Sequence, residues 1–219
     1  MADQFDLLNR TGVRLAMEAR ANVATKPITV AGSISTTDML TRIQPSIEVA
    51  RRNYADQAQI QAAAGVDMFV LEMLREITHT IISLEAAAAT GLPVWVGLSC
   101  QMKDGVPHLF NKDDTLADGL KALKERPVEL VAIMHTETAD VDACLDVVQE
   151  YWDGPIGVYA QSGDFIPPKW QFIDTITPEA YGEACLRWVE RGVQVIGGCC
   201  GIGPEHISYL KEHLPAKIS

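Results

Sequence analysis

The sequence predicts an α/β fold in which parallel strands alternate with helices, arranged as a (β/α) barrel. Short apolar runs rich in β-branched residues alternate with longer helical patterns almost from one end of the chain to the other. Most of these runs are nearly continuously apolar, which is typical of strands buried on both faces. Polar residues with chemical functions follow the runs, at the position where (β/α) barrels place their active sites.

The predicted strands share an apolar composition and mostly end in a polar or small residue. They are Pro27 to Ser33, Val66 to Glu72, Pro93 to Cys100, Leu130 to His135, Pro155 to Gln161 and Val193 to Cys199. The predicted helices are Phe5 to Ala21, Ser46 to Ala64, Ile81 to Thr90, Thr115 to Arg126, Ala139 to Tyr151, Pro178 to Arg191 and Pro204 to His213. Pro178 and Pro204 each stand at a first helical turn, where the missing N–H costs nothing. No linker or shift in composition divides the chain, so we expect one domain over residues 1–219.

Periodicity alone does not choose between a barrel and a doubly wound open sheet, since both are built from βα units. Polar residues fall where the predicted strands end, which is where both folds place their chemistry, at Glu72, Cys100, His135, Gln161 and the pair Cys199 and Cys200. No Gly-x-Gly-x-x-Gly turn follows the first strand, which weakens a dinucleotide-binding interpretation. We therefore favour the barrel.

Composition narrows the function classes. A length of 219 residues with 47% hydrophobic and 21% charged residues suits one well-packed domain. The formal net charge of -11 disfavours nucleic acid as a partner, because such proteins concentrate Lys and Arg on one face. No apolar run approaches the roughly 20 residues that span a bilayer, and the first residues do not resemble a signal peptide. We expect a soluble, cytoplasmic protein without a membrane partner.

The chain has five cysteines, which in a cytoplasmic protein are thiols or metal ligands more often than disulfides. Cys144 and Cys185 lie among helical apolar neighbours and are predicted core residues. Cys100, Cys199 and Cys200 instead end apolar runs. Their positions make these three the candidates for chemistry.

Two adjacent cysteines flanked by glycines, Cys199 and Cys200, form the most distinctive feature of the sequence. Neighbouring side chains of a strand point to opposite faces, so both sulfurs can face one point only if the backbone leaves strand geometry. The flanking glycines permit that. A metal is one reason for such an arrangement. The alternatives are two packed cysteines beside a Gly-rich turn, or a strained vicinal disulfide.

A catalytic zinc takes three protein ligands and keeps one position open, so a third ligand is needed beside the two cysteines. His135 is the best-placed nitrogen donor, because it ends a predicted strand. Cys100 is the rival candidate. The remaining histidines fall in predicted loops or helices and carry no comparable argument.

The last third of the chain resembles the homocysteine S-methyltransferases. The stretch from Val195 to Ile207, VIGGCCGIGPEHI, is similar to the last-strand motif of that family, whose two cysteines bind zinc. Family landmarks are also matched in order by Ala31 to Ile34 (AGSI), by Gly65 to Asp67 (GVD) with Glu72, and by Tyr159 to Gly163 (YAQSG). The resemblance covers essentially the whole chain and implies a zinc-dependent (β/α)8 barrel of the TIM type.

The sequence departs from the family pattern at two places. His135 stands where the family has a third cysteine ligand, after a Gly-x-Asn motif that reads Ala132-Ile133-Met134 in this chain. A second difference is that the chain opens on what resembles the helix after the family's second strand, Leu7 to Ala21. The resemblance thus implies a barrel without its first two strands. We expect either a longer natural protein or homo-oligomers formed through the open edges.

The resemblance further implies that zinc binds the sulfur of homocysteine, whose thiolate then takes a methyl group to give methionine. It implies His135, Cys199 and Cys200 as metal ligands, Glu72 near the substrate amino group, and Tyr159 and Gln161 as substrate-binding residues. Sulfonium, quaternary ammonium and methylated folate donors all remain open, with Tyr159 and Trp170 as candidate aromatic contacts for an onium methyl group. The alternatives are a catalytically silent relative and a vicinal-cysteine redox protein, the latter disfavoured because adjacent cysteines close a strained ring.

Overall fold

A computed structural model describes residues 2–35, 45–166 and 171–215. Its contacts group the chain into two compact units. One comprises Met1–Val96 with Glu125–Glu129, and the other comprises Gly97–Lys124 with Leu130–Ser219. The expectation of one domain over residues 1–219 stays a prediction.

The first unit alternates helices with parallel strands. Its elements are α1 (Ala2–Val23), β1 (Ala31–Ser35), α2 (Ile47–Ala64), β2 (Met68–Leu74), α3 (Ile77–Ala88) and the first residues of β3 (Val94–Lys103). Strand β1 pairs in parallel with β2, so that Ser35 stands opposite Glu72. The start of β3 continues the sheet on the other side of β2, since Phe69 N donates to Pro93 O at 2.8 Å.

Helix α2 packs closely on the first strand because that strand carries a glycine. A Cβ atom on Gly32 would stand 2.5 Å from Gln61 Oε1 and 2.8 Å from the Phe69 ring. Phe69 and Ile34 are fully buried beneath the helix. The Ser46 hydroxyl caps the start of α2, and Gly65 ends it with a left-handed backbone at φ 102°.

The second unit contains the rest of β3 and the remaining elements. They are β4 (Val106–Leu109), α4 (Leu116–Leu123), β5 (Leu130–Glu137), a 3-10 turn (Thr138–Asp140), α5 (Val141–Tyr151), β6 (Ile156–Gln161), β7 (Asp164–Ile166), β8 (Gln171–Ile173), α6 (Pro178–Glu190), β9 (Val195–Ile196) and α7 (Pro204–His213). The strand order is β3-β5-β6-β9, with β6 parallel to both β5 and β9. Strand β4 turns back antiparallel to β3, and β7 with β8 forms a separate hairpin.

Helices α4 and α6 each begin at a threonine that caps the first turn. Thr115 and Asp118 form a reciprocal capping box at α4, and Thr177 caps α6 directly before its first-turn proline. Tyr181 and Trp188 on α6 are fully buried, with their rings 5.9 Å apart and edge to face. These two aromatic side chains anchor α6 in the core of the second unit.

Each predicted strand and helix is present in the described residues, with ends that differ by a few residues. The first strand starts at Ala31 instead of Pro27, because Val30 N donates to the Asp67 carboxylate at 2.7 Å. The last strand ends at Ile196 instead of Cys199, although the chain continues to hydrogen-bond to β6 as far as Cys200. The hairpins β3–β4 and β7–β8 were not predicted. In the described ranges, no helix is both long and apolar enough to cross a membrane.

Candidate metal centre

The two adjacent cysteines lie directly after β9, in a segment that still follows the edge of β6. Gly197 N donates to Val158 O and Cys199 N donates to Ala160 O, each at 2.9 Å. Cys200 O in turn accepts from Ser162 N at 3.0 Å. The main chain is therefore held against β6 up to the second cysteine, and the side chains project from a fixed backbone.

Glycines on both sides of the cysteine pair are required by the packing. A Cβ atom on Gly198 would collide with the Ile202 side chain. Gly201 has a left-handed backbone at φ 75°, and a Cβ atom there would strike the carbonyl oxygen of Ser162. The sequence motif is thus explained by a turn so tight that other residues would push it away from β6.

His135 reaches the site from a bulge in β5. Met134 stands opposite Tyr159 and Glu137 opposite Gln161, so β5 holds one residue more than β6 over this stretch. His135 itself adopts a left-handed backbone with φ 48°. Such a conformation is unfavourable for a residue other than glycine, and bulges near functional sites redirect a side chain. The bulge places the imidazole beside the cysteines.

The three predicted ligands meet in one half-buried cluster. One donor atom from each of His135, Cys199 and Cys200 lies within 4.8 Å of the others. The Cys199 Sγ atom is 3.7 Å from His135 Nδ1 and 4.0 Å from Cys200 Sγ. Tetrahedral zinc with its usual bond lengths separates two sulfurs by about 3.8 Å and sulfur from nitrogen by about 3.6 Å. The two distances from Cys199 Sγ therefore fit a zinc ion, and the ligand roles stay a prediction.

The electrostatics of the cluster favour a thiolate. Hydrogen bonds from Cys199 and then His135 lower the pKa of Cys200 to about 5, against the opposing effect of burial. A thiolate is the form of cysteine that binds metal. Cys200 is therefore ready to act as a ligand at neutral pH without first losing a proton to solvent.

Phe110 borders the imidazole and was not singled out in the sequence. Its ring lies edge to face with His135, with centroids 5.5 Å apart. The β3–β4 hairpin brings it there, and Phe110 N donates to Ser99 O at 2.9 Å. Asp104 and Gly105, both with positive φ, form the hairpin turn. An Asp-Gly pair between apolar runs is a hairpin signal that could have revealed this element.

Cys100, the rival third ligand, is not in the cluster that the described residues form. It is buried, and a hydrogen bond with Cys144 together with burial raises the pKa of its thiol well above the usual range. Cys144 and Cys185 are fully buried, in agreement with their prediction as core residues. Cys100 thus has the surroundings of a structural thiol.

Two predicted substrate-binding residues, Tyr159 and Gln161, belong to the strand that supports the cysteines. The Tyr159 ring lies against Gly197, where a Cβ atom would come within 3.1 Å of it. Gln161 Nε2 donates to Glu137 Oε1 at 2.7 Å, whereas Gln161 Oε1 is buried with no hydrogen-bond partner among the described residues. Glu137 is a further polar residue here that the sequence analysis missed.

Glu72, the third predicted substrate-binding residue, belongs to the first unit. It is half-buried near the end of β2 and accepts a hydrogen bond from the Ser33 hydroxyl. The next residue, Met73, has a left-handed backbone with φ 55°. Trp170, the other candidate contact for a methyl donor, lies outside the described residues.

Comparison with known sequences connects these features to a family. A family model described as homocysteine S-methyltransferase matches residues 1–214. The chain is 26% identical over 143 residues to homocysteine S-methyltransferase YbgG of Bacillus subtilis, covering 64% of this chain and 40% of that protein. It is 24% identical over 165 residues to homocysteine S-methyltransferase 1 of Zea mays, covering 73% and 50%. The matches thus span about half or less of the relatives' length.

Solved structures agree on the fold. The apo form of the homocysteine methyltransferase MmuM of Escherichia coli superimposes with a TM-score of 0.75 at 22% identity, covering 97% of this chain and 74% of that chain. Its metallated form gives 0.74, also at 22% identity, covering 94% of this chain and 70% of that chain. The predicted (β/α) fold is confirmed. With a family model that matches nearly its whole length, the chain belongs to the homocysteine S-methyltransferase family.

Proposed function

We propose that this protein is a zinc-dependent methyltransferase that converts homocysteine to methionine. The observation that carries the proposal is the meeting of a ring nitrogen of His135 with the sulfurs of Cys199 and Cys200, within 4.8 Å, in a chain of this family. Nitrogen and thiolate donors from three residues are the ligand set of a catalytic zinc, which keeps a fourth position for substrate. The metallated form of MmuM supports the presence of a metal in such folds.

His135, Cys199 and Cys200 would hold the zinc, and the bound ion would stabilise the homocysteine sulfur as a thiolate. A neutral imidazole in place of a third thiolate leaves the ligand set one negative charge poorer. We therefore expect a stronger Lewis acid that is held less tightly than in relatives with three cysteines. In the transfer, the sulfur electron pair forms the new S–CH3 bond while the bond between methyl and donor breaks, and its electron pair stays with the donor.

Substrate positioning would fall to polar side chains at strand ends. Glu72 would bind the cationic amino group, with the Ser33 hydroxyl fixing the orientation of its carboxylate. In the second unit, the buried Oε1 atom of Gln161 has an unused acceptor position, and Gln161 Nε2 is fixed by Glu137. We propose Gln161 and Tyr159 as the residues that line the substrate position beside the cysteines.

The test combines zinc content with a transfer assay. Protein purified without chelator is analysed for zinc and then supplied with homocysteine and, in separate reactions, a sulfonium, a quaternary ammonium or a methylated folate donor. About one zinc per chain with methionine formed supports the enzyme. Zinc without turnover supports a silent family relative. The absence of both zinc and turnover favours the vicinal-thiol redox protein. Cys199→Ser serves as the matched control, because it removes one ligand sulfur.

The silent relative is the second candidate, and His135 is the observation that favours it. When a metal ligand is replaced, a protein can keep its fold and its metal and still lose catalytic activity. The assay described above separates the two candidates. We propose that the protein lies in the cytoplasm, where its five free cysteines would stay reduced, and that it has neither nucleic acid nor membrane as a partner.

We also propose that the protein self-associates. On α1 the side chains of Leu7, Leu8 and Leu15 are 62%, 67% and 55% exposed. Strand β1 pairs only with β2 among the strands that the structure describes, and its other edge is covered in part, since Ser33 O accepts hydrogen bonds from Gln57 and Gln61. A second copy of the chain would cover the exposed leucines of α1. Light scattering of the purified protein should give at least a dimer mass, and a stable monomer would contradict this proposal.

A further inference from the structure

We infer that Thr136 is the positioning residue of the candidate metal centre, because its hydroxyl fixes the bulge that turns His135 toward the two cysteines. The expected effect of Thr136 on zinc affinity rests on the proposed function. The hydrogen bonds that Thr136 makes around His135 do not depend on a metal.

The Thr136 hydroxyl spans the bulge from inside the protein. Its side chain is fully buried. The Oγ1 atom donates to Met134 O and accepts from Cys100 N, each at 3.0 Å. One hydroxyl thus bonds the residue before His135 to the neighbouring strand β3, and it uses both its donor and an acceptor position in doing so.

The bulge explains why a hydroxyl is needed at this point. An extra residue in β5 interrupts the regular pairing of backbone groups with the adjacent strands. Buried N–H groups are almost always paired, and Cys100 N lies where water does not reach. Thr136 Oγ1 supplies the acceptor that an uninterrupted strand would have offered. The pairing of β3 with β5 therefore survives the insertion.

The same contacts hold His135 in an unfavourable conformation. A φ of 48° persists in a residue with a Cβ atom only when its surroundings fix it. Thr136 is β-branched and stiff about χ1, so its hydroxyl is already directed before the bonds form. Phe110 then limits the imidazole from the side, with ring centroids 5.5 Å apart. Thr136 fixes the backbone, and Phe110 restricts the ring.

The test compares Thr136→Val, which has the same shape without the hydroxyl, with Thr136→Ser, which keeps the hydroxyl. We expect Thr136→Val to lower zinc affinity by about 10- to 100-fold, the usual effect of losing a group that orients a ligand. Thr136→Ser should stay close to the parent protein. Should Thr136→Val not fold, Thr136→Ala replaces it, because it removes the hydroxyl without adding a methyl group.

A double-mutant cycle separates positioning from general destabilisation. If Thr136 acts through His135, Thr136→Val should cost no further affinity in a His135→Ala background, although both proteins lose stability. If Thr136→Val instead lowers zinc affinity equally in the parent protein and in the His135→Ala protein, the hydroxyl acts only on overall structure. That outcome would overturn the inference.

Crystal structures of the metal-free variants test whether Thr136 holds His135 in its left-handed conformation. In Thr136→Val we expect His135 to leave the left-handed region and its Nδ1 atom to move beyond 3.7 Å from Cys199 Sγ. In Thr136→Ser both should be unchanged. If the parent protein binds no zinc, the proposed function fails, and these structures still test the inference. A Thr136→Val variant with His135 unmoved would refute it.

Discussion

The Nδ1 atom of His135 and the Sγ atom of Cys199 lie 3.7 Å apart, although 64 positions separate the two residues in the chain. Their strands β5 and β9 are both neighbours of β6, and the carboxyl ends of parallel strands meet at one edge. A bulge on one strand and a glycine-rich turn after the other then bring the side chains together.

The identity of the third ligand is tested at His135. We expect His135→Ala to weaken zinc binding clearly, since only two sulfurs remain, and His135→Cys to keep or strengthen it by restoring the family ligand. Zinc affinity measured by competition with a chromogenic chelator gives the comparison. Cys100→Ser is the control and should leave affinity unchanged, because Cys100 is buried against Cys144. Unchanged affinity in His135→Ala would remove His135 from the ligand set.

The tightness of the cysteine turn is tested at Gly201. Alanine in a left-handed conformation costs about 1–2 kcal/mol wherever it occurs. At Gly201 the added Cβ would also strike the Ser162 carbonyl oxygen, so we expect a total loss of about 3 kcal/mol or more in the free energy of unfolding. Gly105→Ala is a matched control, because Gly105 has φ 78° and open space around its Cβ position. If urea unfolding shows that Gly201→Ala and Gly105→Ala lose the same free energy of unfolding, the collision with Ser162 has no effect on stability.

Thiol reactivity tests the electrostatics of the metal-free site. Because neighbouring groups lower the pKa of Cys200 to about 5, its thiolate should be present at neutral pH and be lost as the pH falls through about 5. Burial raises the pKa of Cys185 to about 12, so Cys185 should stay unmodified. Alkylation by iodoacetamide between pH 4 and 9, roughly the range around these values, read by peptide mass spectrometry, measures both. A Cys200 rate that rises only near the ordinary thiol pKa of about 8.5 would be the contrary result.

Substrate recognition is tested at Glu72. Glu72→Gln removes the negative charge that we assign to the homocysteine amino group, so KM for homocysteine should rise by roughly 10-fold or more, as for a lost charged hydrogen bond. Zinc content should not change. Ser33→Ala removes only the hydroxyl that orients the carboxylate and should have a smaller effect. A Glu72→Gln variant with normal KM would mean that the carboxylate has a structural role.

The alternation of strands and helices could be predicted from the sequence, because strands buried on both faces are short, nearly continuous apolar runs, whereas helices are longer and carry apolar residues every three or four positions. The turn at Cys199 and Cys200 could also be predicted, since the flanking Gly198 and Gly201 are short-range signals of a turn. The bulge at His135 was not predictable in this way. It depends on Thr136 bonding across to Cys100, a contact between residues 36 positions apart. Phe110 was missed because the Asp104-Gly105 turn, although visible in the sequence, does not reveal which strand end the hairpin approaches.

Zinc K-edge X-ray absorption, recorded with and without homocysteine, tests whether zinc binds the substrate sulfur. We expect two sulfur neighbours at about 2.3 Å and one imidazole nitrogen at about 2.0–2.1 Å, with the remaining position open to solvent. Adding homocysteine should raise the sulfur count by one at the same distance, and serine in place of homocysteine should leave it unchanged. A sulfur count that stays at two with saturating homocysteine would contradict zinc activation of the substrate thiol.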